Sequence, residues 1–402
     1  RSPASPPGGT PVIVSAARTP IGAFQGALAG LTAIELGAAA VQAAVRRAGI
    51  DPAILDEAIL GCILTAGLGQ APARQAALAA GLPQSVACTT VNKVCGSALK
   101  AIMLGHDAIV AGSAAVVIAG GMESMSNAPY LLPRARSGYR LGHDQVLDHM
   151  FLDGLEDAYG PETRGKLMGC FAEDCASRLG ISREEQDAWA LRSASRAQQA
   201  AADGAFAWEI EPVLVPGKAG ERRIGRDEGP ERIDPARIPS LEPAFRVGGT
   251  ITAANASSIA DGAAAVVLMR ESQAGSLGIA PLARIVAHAT HAQAPADYPT
   301  APGKAIEKLL LRSGWTKDKV DLFEINEAFA VVPLAALRHL DLSPDRVNVH
   351  GGACALGHPI GATGARLVAT LLGALRRRGN RRGVAALCIG GGEATALALE
   401  ML

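Results

Sequence analysis

The chain has 402 residues, with 38 Lys and Arg against 38 Asp and Glu, 49% hydrophobic residues and 3% aromatic residues. This length predicts more than one hydrophobic core, and the balanced charge excludes a global field that would attract nucleic acid or an anionic membrane. The seven cysteines form an odd set without Cys-x-x-Cys spacing, which argues against a disulfide framework and against a thiolate zinc site.

The sequence also bears on whether the protein crosses a membrane or is secreted. The apolar runs are shorter than the roughly 20 residues of a membrane span, and the N-terminus lacks a signal-peptide pattern. We therefore predict a soluble, cytoplasmic protein in a reducing compartment. Residues 1–10, RSPASPPGGT, are rich in Pro, Gly and Ser, and we interpret them as a flexible lead.

One unit of the sequence occurs twice. The segment RRAGIDPAILDEAILG near residue 47 and the segment LRSGWTKDKVDLFEIN near residue 312 each predict a helix that ends at Gly, a polar connection and a strand. The residues that match at one constant offset are Arg47, Gly49 and Asp56 in the first segment and Arg312, Gly314 and Asp321 in the second. Gly120 in VVIAGG and Gly390 in ALCIGGG each follow a helical pattern at almost the same spacing, and we match them as well.

The repeated units contain continuous apolar strands, which indicate an α/β protein with two related halves and largely parallel, buried sheets. Between residues 125 and 259 a loop rich in Pro, Arg and Gly and a charged strip break this pattern. We therefore divide the chain into an N-terminal half (11–124 with 260–281), an inserted loop domain (125–259) and a C-terminal half (282–402).

The first candidate for chemistry is Cys95 in VNKVCGSALKA, ahead of a helix that is predicted to begin near Ser97. The unpaired N–H groups and the positive end of that helix favour a thiolate, so we expect a lowered pKa and a nucleophile. The alternative for this segment alone is a buried cysteine that packs as a small hydrophobic residue.

Three further candidates lie in the second half. Asn326 in EINEAFA either holds a water or a carbonyl oxygen, or it caps a helix. His358 in GGACALGHPIGATGAR is either a base or a structural histidine, and its segment lacks the Gly-Lys-Ser/Thr ending of a nucleotide-binding P-loop. Cys388 in ALCIGGGEA precedes glycines that suit an exposed turn of backbone N–H groups, or a tight turn beside a core cysteine.

We expect these four side chains to meet, because each falls at a strand end or a helix start, where doubly wound sheets bind ligands. A thiol nucleophile, a histidine, a second thiol and an amide suit acyl transfer with carbon–carbon bond chemistry better than peptide hydrolysis.

Six segments along the chain resemble, in order, the motifs of the thiolase family. They are VNKVCGSALKA, GGMESMSNAPY, NASSIADGAAA, NEAFA, GGACALGHPIGATGAR and CIGGGEA. The resemblance extends from VIVSAARTPIG at residue 12 to the C-terminus. It implies a five-layered αβαβα fold of two similar halves with a loop domain inserted in the first, in agreement with the repeat.

The resemblance also implies a role for each candidate in joining two acetyl-CoA molecules into acetoacetyl-CoA and CoA, or in the reverse thiolysis. Cys95 is the acylated nucleophile, His358 activates it, and Cys388 moves the proton on the α-carbon of the second acetyl-CoA. Asn326, through a water, joins His358 in binding one thioester oxygen. The backbone N–H groups of Cys95 and Gly390 bind the other.

For coenzyme A, the resemblance points to positions that lie mostly in the inserted region. They are Leu155, Met168, Arg232, Ala244, Phe245, Ala253, Ser257 and Phe329. The expected partners are acetyl-CoA, acetoacetyl-CoA and CoA as substrates, without a permanently bound cofactor, a metal, nucleic acid or a membrane. The loop RARSGYRLG resembles the segment through which the family forms tetramers, so we expect a homotetramer built as a dimer of dimers.

Three residues depart from the family pattern. Leu167 stands before Met168 where short-chain members often have His, so the preferred chain length stays open. Ala98 replaces a frequent Gly, and Glu393 stands where an uncharged residue is common. Two alternatives to acetyl transfer also stay open: a degradative 3-ketoacyl-CoA thiolase of broader chain length, and a non-catalytic subunit that only binds acyl-CoA.

Overall fold

The computed structural model describes residues 10–217 and 220–402. The flexible lead predicted at residues 1–10 therefore lies, apart from its last residue, outside the described residues. Before the insertion the chain forms β1 (Pro11–Arg18), β2 (Gly22–Ala23), α1 (Ala33–Ala48), β3 (Glu57–Gly61), α2 (Pro72–Ala79), β4 (Ala87–Val91), α3 (Ser97–Ala111) and β5 (Val116–Ser124).

The segment that follows β5 contains short strands and two longer helices. Its elements are β6 (Tyr130–Leu131), β7 (Leu147–Asp148), α4 (Met168–Leu179), α5 (Arg183–Ala202), β8 (Val213–Val215), β9 (Arg222–Ile224) and α6 (Gly229–Arg232). The remainder of the chain forms β10 (Ala260–Arg270), α7 (Glu271–Ser276), β11 (Ala283–Ala292), α8 (Ala301–Ser313), β12 (Leu322–Ile325), α9 (Val331–Leu340), α10 (Ala353–Leu356), α11 (Thr363–Arg378), β13 (Arg382–Ile389) and β14 (Glu393–Met401).

A mixed sheet runs through both halves in the order β12, β13, β14, β11, β1, β10, β5, β3 and β4, with β2 beside β10. The pairs β3–β4, β3–β5 and β12–β13 are parallel, whereas the other pairs are antiparallel. The prediction of largely parallel sheets is therefore wrong. One reason is that a short glycine turn joins β13 to β14, and such a turn can connect only antiparallel neighbours.

The two halves repeat one another, as the sequence predicts. Gly49 follows α1 with a φ of 66° and Gly314 follows α8 with a φ of 68°, both in the left-handed region that glycine enters without a steric penalty. The side chain of Asp56 accepts hydrogen bonds from the N–H groups of residues 115 and 116, where β5 begins. Asp321 makes the same pair of contacts with residues 381 and 382, where β13 begins.

The strand registers correct one detail of the repeat. Leu60 pairs with Gly120, and its counterpart Ile325 pairs with Ala386. The counterpart of Gly120 is therefore Ala386, and the match of Gly120 with Gly390 is wrong. Both glycines follow similar apolar runs, but β5 continues as a strand through Gly120 whereas β13 ends before Gly390.

Helices and sheet halves alternate in five layers, which confirms the expected αβαβα fold. One core joins α1 and α2 to the first half of the sheet. A central core contains α3 and α11, which pack between the two halves. A third core joins α8 and α9 to the outer face of the second half.

The central helix α3 also corrects the expectation about apolar runs. Residues 94–111 form a stretch of 18 residues that is long and apolar enough to cross a membrane by length and composition, and half of it is buried in the protein. Because α3 packs against β5, β3 and α11, it has the position of a core helix.

The inserted segment is tied to the first half by a buried ion-pair network. Arg18, at the end of β1, donates from Nε to Glu209 at 2.6 Å and from its two terminal nitrogens to Asp227 at 2.7 and 2.8 Å. All three side chains are buried. A forked guanidinium that meets two carboxylates fixes direction as well as distance, so residues 209 and 227 are held in place on β1.

Candidate active site

Cys95 lies in a tight turn between β4 and α3. The residue before it, Val94, has a φ of 45°, which is a strained conformation for a β-branched side chain. The turn is over-determined by its neighbours: Asn92 Oδ1 accepts from the N–H of Val94 at 3.0 Å, and Ser97 Oγ accepts from the N–H of Lys93 at 2.8 Å. These local hydrogen bonds stabilise the strained conformation of Val94. The turn places the Cys95 thiol in the wall of an internal cavity.

Burial dominates the acidity of this thiol. It raises the pKa of Cys95 to about 11, while the N–H groups of Gly390 and of Cys95 itself act in the opposite direction and more weakly. The expectation that the helix start lowers this pKa is therefore wrong. The helix does begin at Ser97, but the loss of hydration outweighs the backbone donors.

His358 precedes α11 and is almost fully buried. Its Nδ1 lies 2.7 Å from Thr363 Oγ1, which in turn lies 2.9 Å from the carbonyl oxygen of Pro359. Its Nε2 lies 3.4 Å from the Nδ2 of Asn326. Burial, together with the nearby charge of Arg366, lowers the pKa of His358 to about 3, so the ring is neutral at physiological pH and can accept a proton.

Asn326 follows directly after β12 and is fully buried. Its backbone N–H donates to the carbonyl oxygen of Ala386 in β13 at 2.9 Å, which extends the parallel pairing of these strands. Its side chain contacts His358 on one side and Arg366 on the other, the latter at 3.4 Å from Oδ1. Asn326 therefore lies behind His358 and is not among the residues that line the cavity at Cys95.

Cys388 is the second-last residue of β13 and is buried. Burial raises its pKa well above the ordinary value, and the neighbouring Cys95 adds to the shift. The turn that follows uses glycine for a conformational reason, since Gly391 and Gly392 have φ values of 93° and 86°. This turn leaves Gly390 facing Cys95.

A cavity of about 230 Å³ brings most of the predicted site residues together. Those that line it are Cys95, Leu155, Met168, Phe245, Ser257, Phe329, His358, Cys388 and Gly390. The wall is otherwise mainly apolar, so the sulfurs and the imidazole are the reactive groups that a bound molecule would meet.

The remaining predicted coenzyme A positions lie elsewhere. Arg232 and Ala253 line a second cavity of about 190 Å³, which Ser258 also lines. Arg232 is 59% exposed and pairs with Glu228 at 3.4 Å. Ala244 lines neither cavity; its N–H donates to the carbonyl oxygen of Ile251 at 2.8 Å and thereby fixes the segment that presents Phe245.

Several residues of the site were missed from the sequence. Tyr298 lines the cavity and donates from its hydroxyl to the carbonyl oxygen of Met168 at 2.9 Å. Phe151 and Ile360 complete the wall near Cys95, and Thr363 orients His358. Tyr298 stands in ADYPTAP, and Ile360 follows His358 and Pro359. Their position in or next to a recognised motif is the feature of the sequence that could have indicated them.

The structure locates the three residues that depart from the family pattern. Leu167 lines the cavity, and Ala98 is fully buried in α3. Glu393 forms an ion pair with Lys93, two residues before Cys95. The unusual acidic residue therefore has a partner on the turn that carries the nucleophile candidate.

Far from the cavity, His106, Asp107 and His288 form a cluster whose donor atoms lie within 4.8 Å of one another. Asp107 Oδ1 lies 3.0 Å from His106 Nδ1 and 2.7 Å from His288 Nε2. One carboxylate oxygen thus contacts a nitrogen of each ring, and this cluster joins α3 to β11.

Two family models cover the chain. The model described as "Thiolase, N-terminal domain" matches residues 11–272, and the model described as "Thiolase, C-terminal domain" matches residues 279–401. The chain belongs to the thiolase family. This confirms the family that the six motifs indicated.

Named relatives resemble this thiolase over nearly its whole length. "Acetyl-CoA acetyltransferase 1" of Arabidopsis thaliana is 51% identical over 97% of this chain and 94% of that protein. "Acetyl-CoA acetyltransferase" of Pseudomonas aeruginosa is 49% identical over 96% of this chain and 98% of that protein.

Solved structures of relatives have the same fold. The crystal structure of the Bacillus anthracis acetyl-CoA acetyltransferase superimposes with a TM-score of 0.95, at 42% identity, over 98% of this thiolase and 99% of that chain. The Acat5 thiolase from Ascaris suum, solved in complex with coenzyme A, gives a TM-score of 0.91 at 41% identity over 98% and 100% of the two chains.

Proposed function

We propose that this thiolase is an acetyl-CoA C-acetyltransferase, which condenses two acetyl-CoA molecules to acetoacetyl-CoA and CoA or catalyses the reverse thiolysis. The observation that carries the proposal is that Cys95, His358 and Cys388 line one largely apolar cavity. The names of relatives at 49% and 51% identity support the same substrate.

The first half-reaction acetylates Cys95. His358 Nε2 accepts the thiol proton while the sulfur attacks the carbonyl carbon of acetyl-CoA, and the bond between that carbon and the CoA sulfur breaks. The CoA sulfur leaves as a thiolate and, in the unmodified enzyme, takes the proton of the Cys388 thiol, so that Cys388 becomes the thiolate for the next step. Because the pKa of Cys95 is raised and that of His358 is lowered, proton transfer accompanies the attack rather than preceding it.

The second half-reaction forms the carbon–carbon bond. The Cys388 thiolate takes a proton from the α-carbon of a second acetyl-CoA and becomes a thiol again, and the enolate carbon attacks the carbonyl of the acetylated Cys95. The bond between that carbonyl and the Cys95 sulfur breaks, and the sulfur takes back its proton from His358 Nε2. The N–H groups of Cys95 and Gly390 hold one oxygen as negative charge develops, and His358 Nε2, which now carries the proton taken from Cys95, together with Asn326 through a water, holds the other.

Coenzyme A enters between the inserted region and the second half. In this proposal, the apolar part of the cofactor runs along Met168, Phe245 and Ser257, which line the same cavity as Cys95. The nucleotide end lies toward Arg232, whose exposed guanidinium suits a phosphate once it leaves Glu228. Leu155, Phe329, Ala244 and Ala253 supply packing and loop support. The thioesters are substrates, and no permanently bound cofactor enters the proposed reaction.

The proposed assembly is a homotetramer in the cytoplasm. Apolar side chains on the loop between residues 130 and 147, among them Leu132, Leu141 and Val146, are exposed in the single chain and favour burial against another copy. The cysteines of the described chain are free thiols, and this state suits a reducing compartment. Sedimentation of the purified protein tests the tetramer, and a dimer would contradict it.

Mixing the enzyme with acetyl-CoA and measuring its intact mass and peptide masses tests the reaction. We expect one acetyl group on Cys95 and, with excess acetyl-CoA, release of acetoacetyl-CoA. Binding without an adduct would favour the non-catalytic alternative. Turnover of 3-ketodecanoyl-CoA that clearly exceeds that of acetoacetyl-CoA would instead favour the degradative thiolase of broader chain length.

A further inference from the structure

We propose that Arg366 is a positioning residue that, with Thr363, fixes the direction of the hydrogen-bond chain through His358 and so keeps Nε2 of this ring unprotonated, as a base must be. The inference rests on the proposed role of His358 as the base. It adds a residue of α11 that touches neither the cavity nor the reacting atoms.

Thr363 and Arg366 occupy the first turn of α11 three residues apart, so both side chains lie on the same face of the helix. Thr363 meets the His358 ring at Nδ1, and Arg366 meets the Asn326 amide at Oδ1. One helical turn therefore contacts both ends of the Asn326–His358 pair. Arg366 is itself 1% exposed, so its position is set by the protein.

The direction of the chain is fixed at the Arg366 end. A guanidinium carries donors only, and a carbonyl oxygen is an acceptor only. Arg366 donates to Asn326 Oδ1 at 3.4 Å, which turns the Asn326 Nδ2 toward His358 Nε2, also at 3.4 Å. At the other end, the Thr363 hydroxyl donates to the carbonyl oxygen of Pro359 at 2.9 Å.

Between these ends, the direction of each link follows. Because Asn326 Nδ2 donates to Nε2, the single proton of the neutral ring lies on Nδ1, which donates to Thr363 Oγ1 at 2.7 Å, and the Thr363 hydroxyl in turn donates to the carbonyl oxygen of Pro359. A neutral imidazole carries one proton, so Nε2 holds a lone pair and accepts from Asn326. The whole chain then runs in one direction, from the guanidinium of Arg366 to the carbonyl of Pro359.

The reversed arrangement shows what Arg366 excludes. If the Asn326 amide turned over, its NH₂ group would face the donors of Arg366, and its oxygen would face His358 Nε2. That oxygen would favour a proton on Nε2, and the ring could then no longer take the Cys95 proton there. The cation therefore selects the tautomer that the reaction requires.

Glu324 pairs with the buried guanidinium of Arg366, and this pair determines which variants are informative. Its Oε2 lies 3.3 Å from Arg366, and both side chains are buried. Removing Arg366 alone would leave this carboxyl without its partner and destabilise the fold. The informative variant is therefore Arg366→Met combined with Glu324→Gln, with Glu324→Gln alone and Arg366→Lys as matched controls.

The first readout is the tautomer of His358, observed by nitrogen NMR of the enzyme labelled with ¹⁵N-histidine and assigned by comparison with His358→Asn. We expect a protonated Nδ1 and an unprotonated Nε2 in the unmodified enzyme and in both controls, and a mixture of tautomers in the double variant. The second readout is the rate of Cys95 acetylation, which should fall about 10- to 100-fold in the double variant with little change in KM.

Thr363 gives an independent test at the other end of the chain. Thr363→Val removes the acceptor of Nδ1–H at nearly constant volume and should shift the tautomer toward Nε2–H, whereas Thr363→Ser should preserve it. An unchanged His358 tautomer in Arg366→Met/Glu324→Gln would overturn the role of Arg366, and an unchanged tautomer in Thr363→Val would overturn the proposed direction of the chain; if the double variant fails to fold, Thr363→Val still tests that direction. The tautomer does not depend on the thioester used, so absence of acetylation in the unmodified enzyme would count against the proposed function alone.

Discussion

Lys93 and Glu393 form an ion pair although 300 residues separate them in the sequence. Lys93 stands two residues before Cys95, and Glu393 begins the strand after the glycine turn that follows Cys388. The pair therefore connects the turn of the nucleophile candidate to the turn of the second thiol. Its side chains are 23% and 33% exposed, so solvent screens the attraction in part.

We predict that Glu393→Gln slows acetylation of Cys95 by up to about fivefold, because a partly exposed pair contributes at most about 1 kcal/mol to holding the two turns together. Rapid-quench mass spectrometry measures this rate. The charge exchange, Lys93→Glu with Glu393→Lys, should restore most of it. Equal rates in Glu393→Gln, in the exchanged variant and in the unmodified enzyme would show that the pair has no role in the alignment.

The alkylation of Cys95 should depend on pH in a way that reports its raised pKa of about 11. Since only the thiolate reacts, the rate with iodoacetamide should rise about tenfold per pH unit from pH 7 to pH 9 without levelling. Peptide mass spectrometry isolates the signal of Cys95 from that of the other thiols. A plateau below pH 8 would indicate a preformed thiolate and contradict the burial argument.

The raised pKa of Cys95 also makes the free energy of unfolding depend on pH. The pKa of Cys95 is raised from 9.0 in the unfolded chain to about 11 in the folded one, so the folded state holds this proton more tightly. The contribution of this proton to the free energy of unfolding is complete below pH 9 and is lost as the pH rises toward 11. Cys95→Ala should therefore unfold with a weaker pH dependence than the unmodified enzyme in this range, as urea titrations would show.

Gly121 in β5 has no room for a side chain. A methyl group there would collide with the carbonyl oxygen of Gly361, three residues after His358. We predict that Gly121→Ala displaces the His358 segment, lowers kcat at least about tenfold and costs about 1–3 kcal/mol of unfolding free energy. Gly275→Ala is the matched control, because Gly275 faces open space and should tolerate the change. Wild-type kinetics in Gly121→Ala would contradict the predicted collision.

Asp56 and Asp321 offer a test of the duplicated architecture. Each carboxylate accepts two backbone N–H groups at the start of the neighbouring parallel strand, at distances from 2.6 to 3.0 Å. Replacement by Ala should cost about 1–2 kcal/mol at either position, because water can reach these partly exposed groups and satisfy them in part. Chemical denaturation measures both variants. A loss at one position only would mean that the two contacts are not equivalent.

The parts that could be predicted from the sequence are those with local causes. Gly49 and Gly314 end helices because glycine enters the left-handed region, and this requirement is visible in the chain itself. The strand ends that carry Cys95, Asn326 and Cys388 follow from the apolar runs before them. The repeat then suggests that these ends lie on one edge of the sheet.

What could not be predicted depends on tertiary burial. The helix start next to Cys95 indicates a lowered pKa, but the cavity wall removes water from the thiol and reverses the sign. Arg366 is unremarkable in the sequence, because its importance comes from Asn326, which lies 40 residues away. The antiparallel pairings of β1 with β10 and of β10 with β5 likewise join strands that are distant in the sequence, so no local pattern records them.

The assignment of the two thiols to separate steps is tested by Cys388→Ala. This variant should still gain an acetyl group on Cys95, because the first half-reaction uses His358, but it should no longer exchange the methyl hydrogens of acetyl-CoA with deuterated water. Cys175→Ala, which removes another buried thiol outside the cavity lining, should keep both properties. Exchange that persists in Cys388→Ala at the unmodified rate would contradict the proposal that Cys388 is the base.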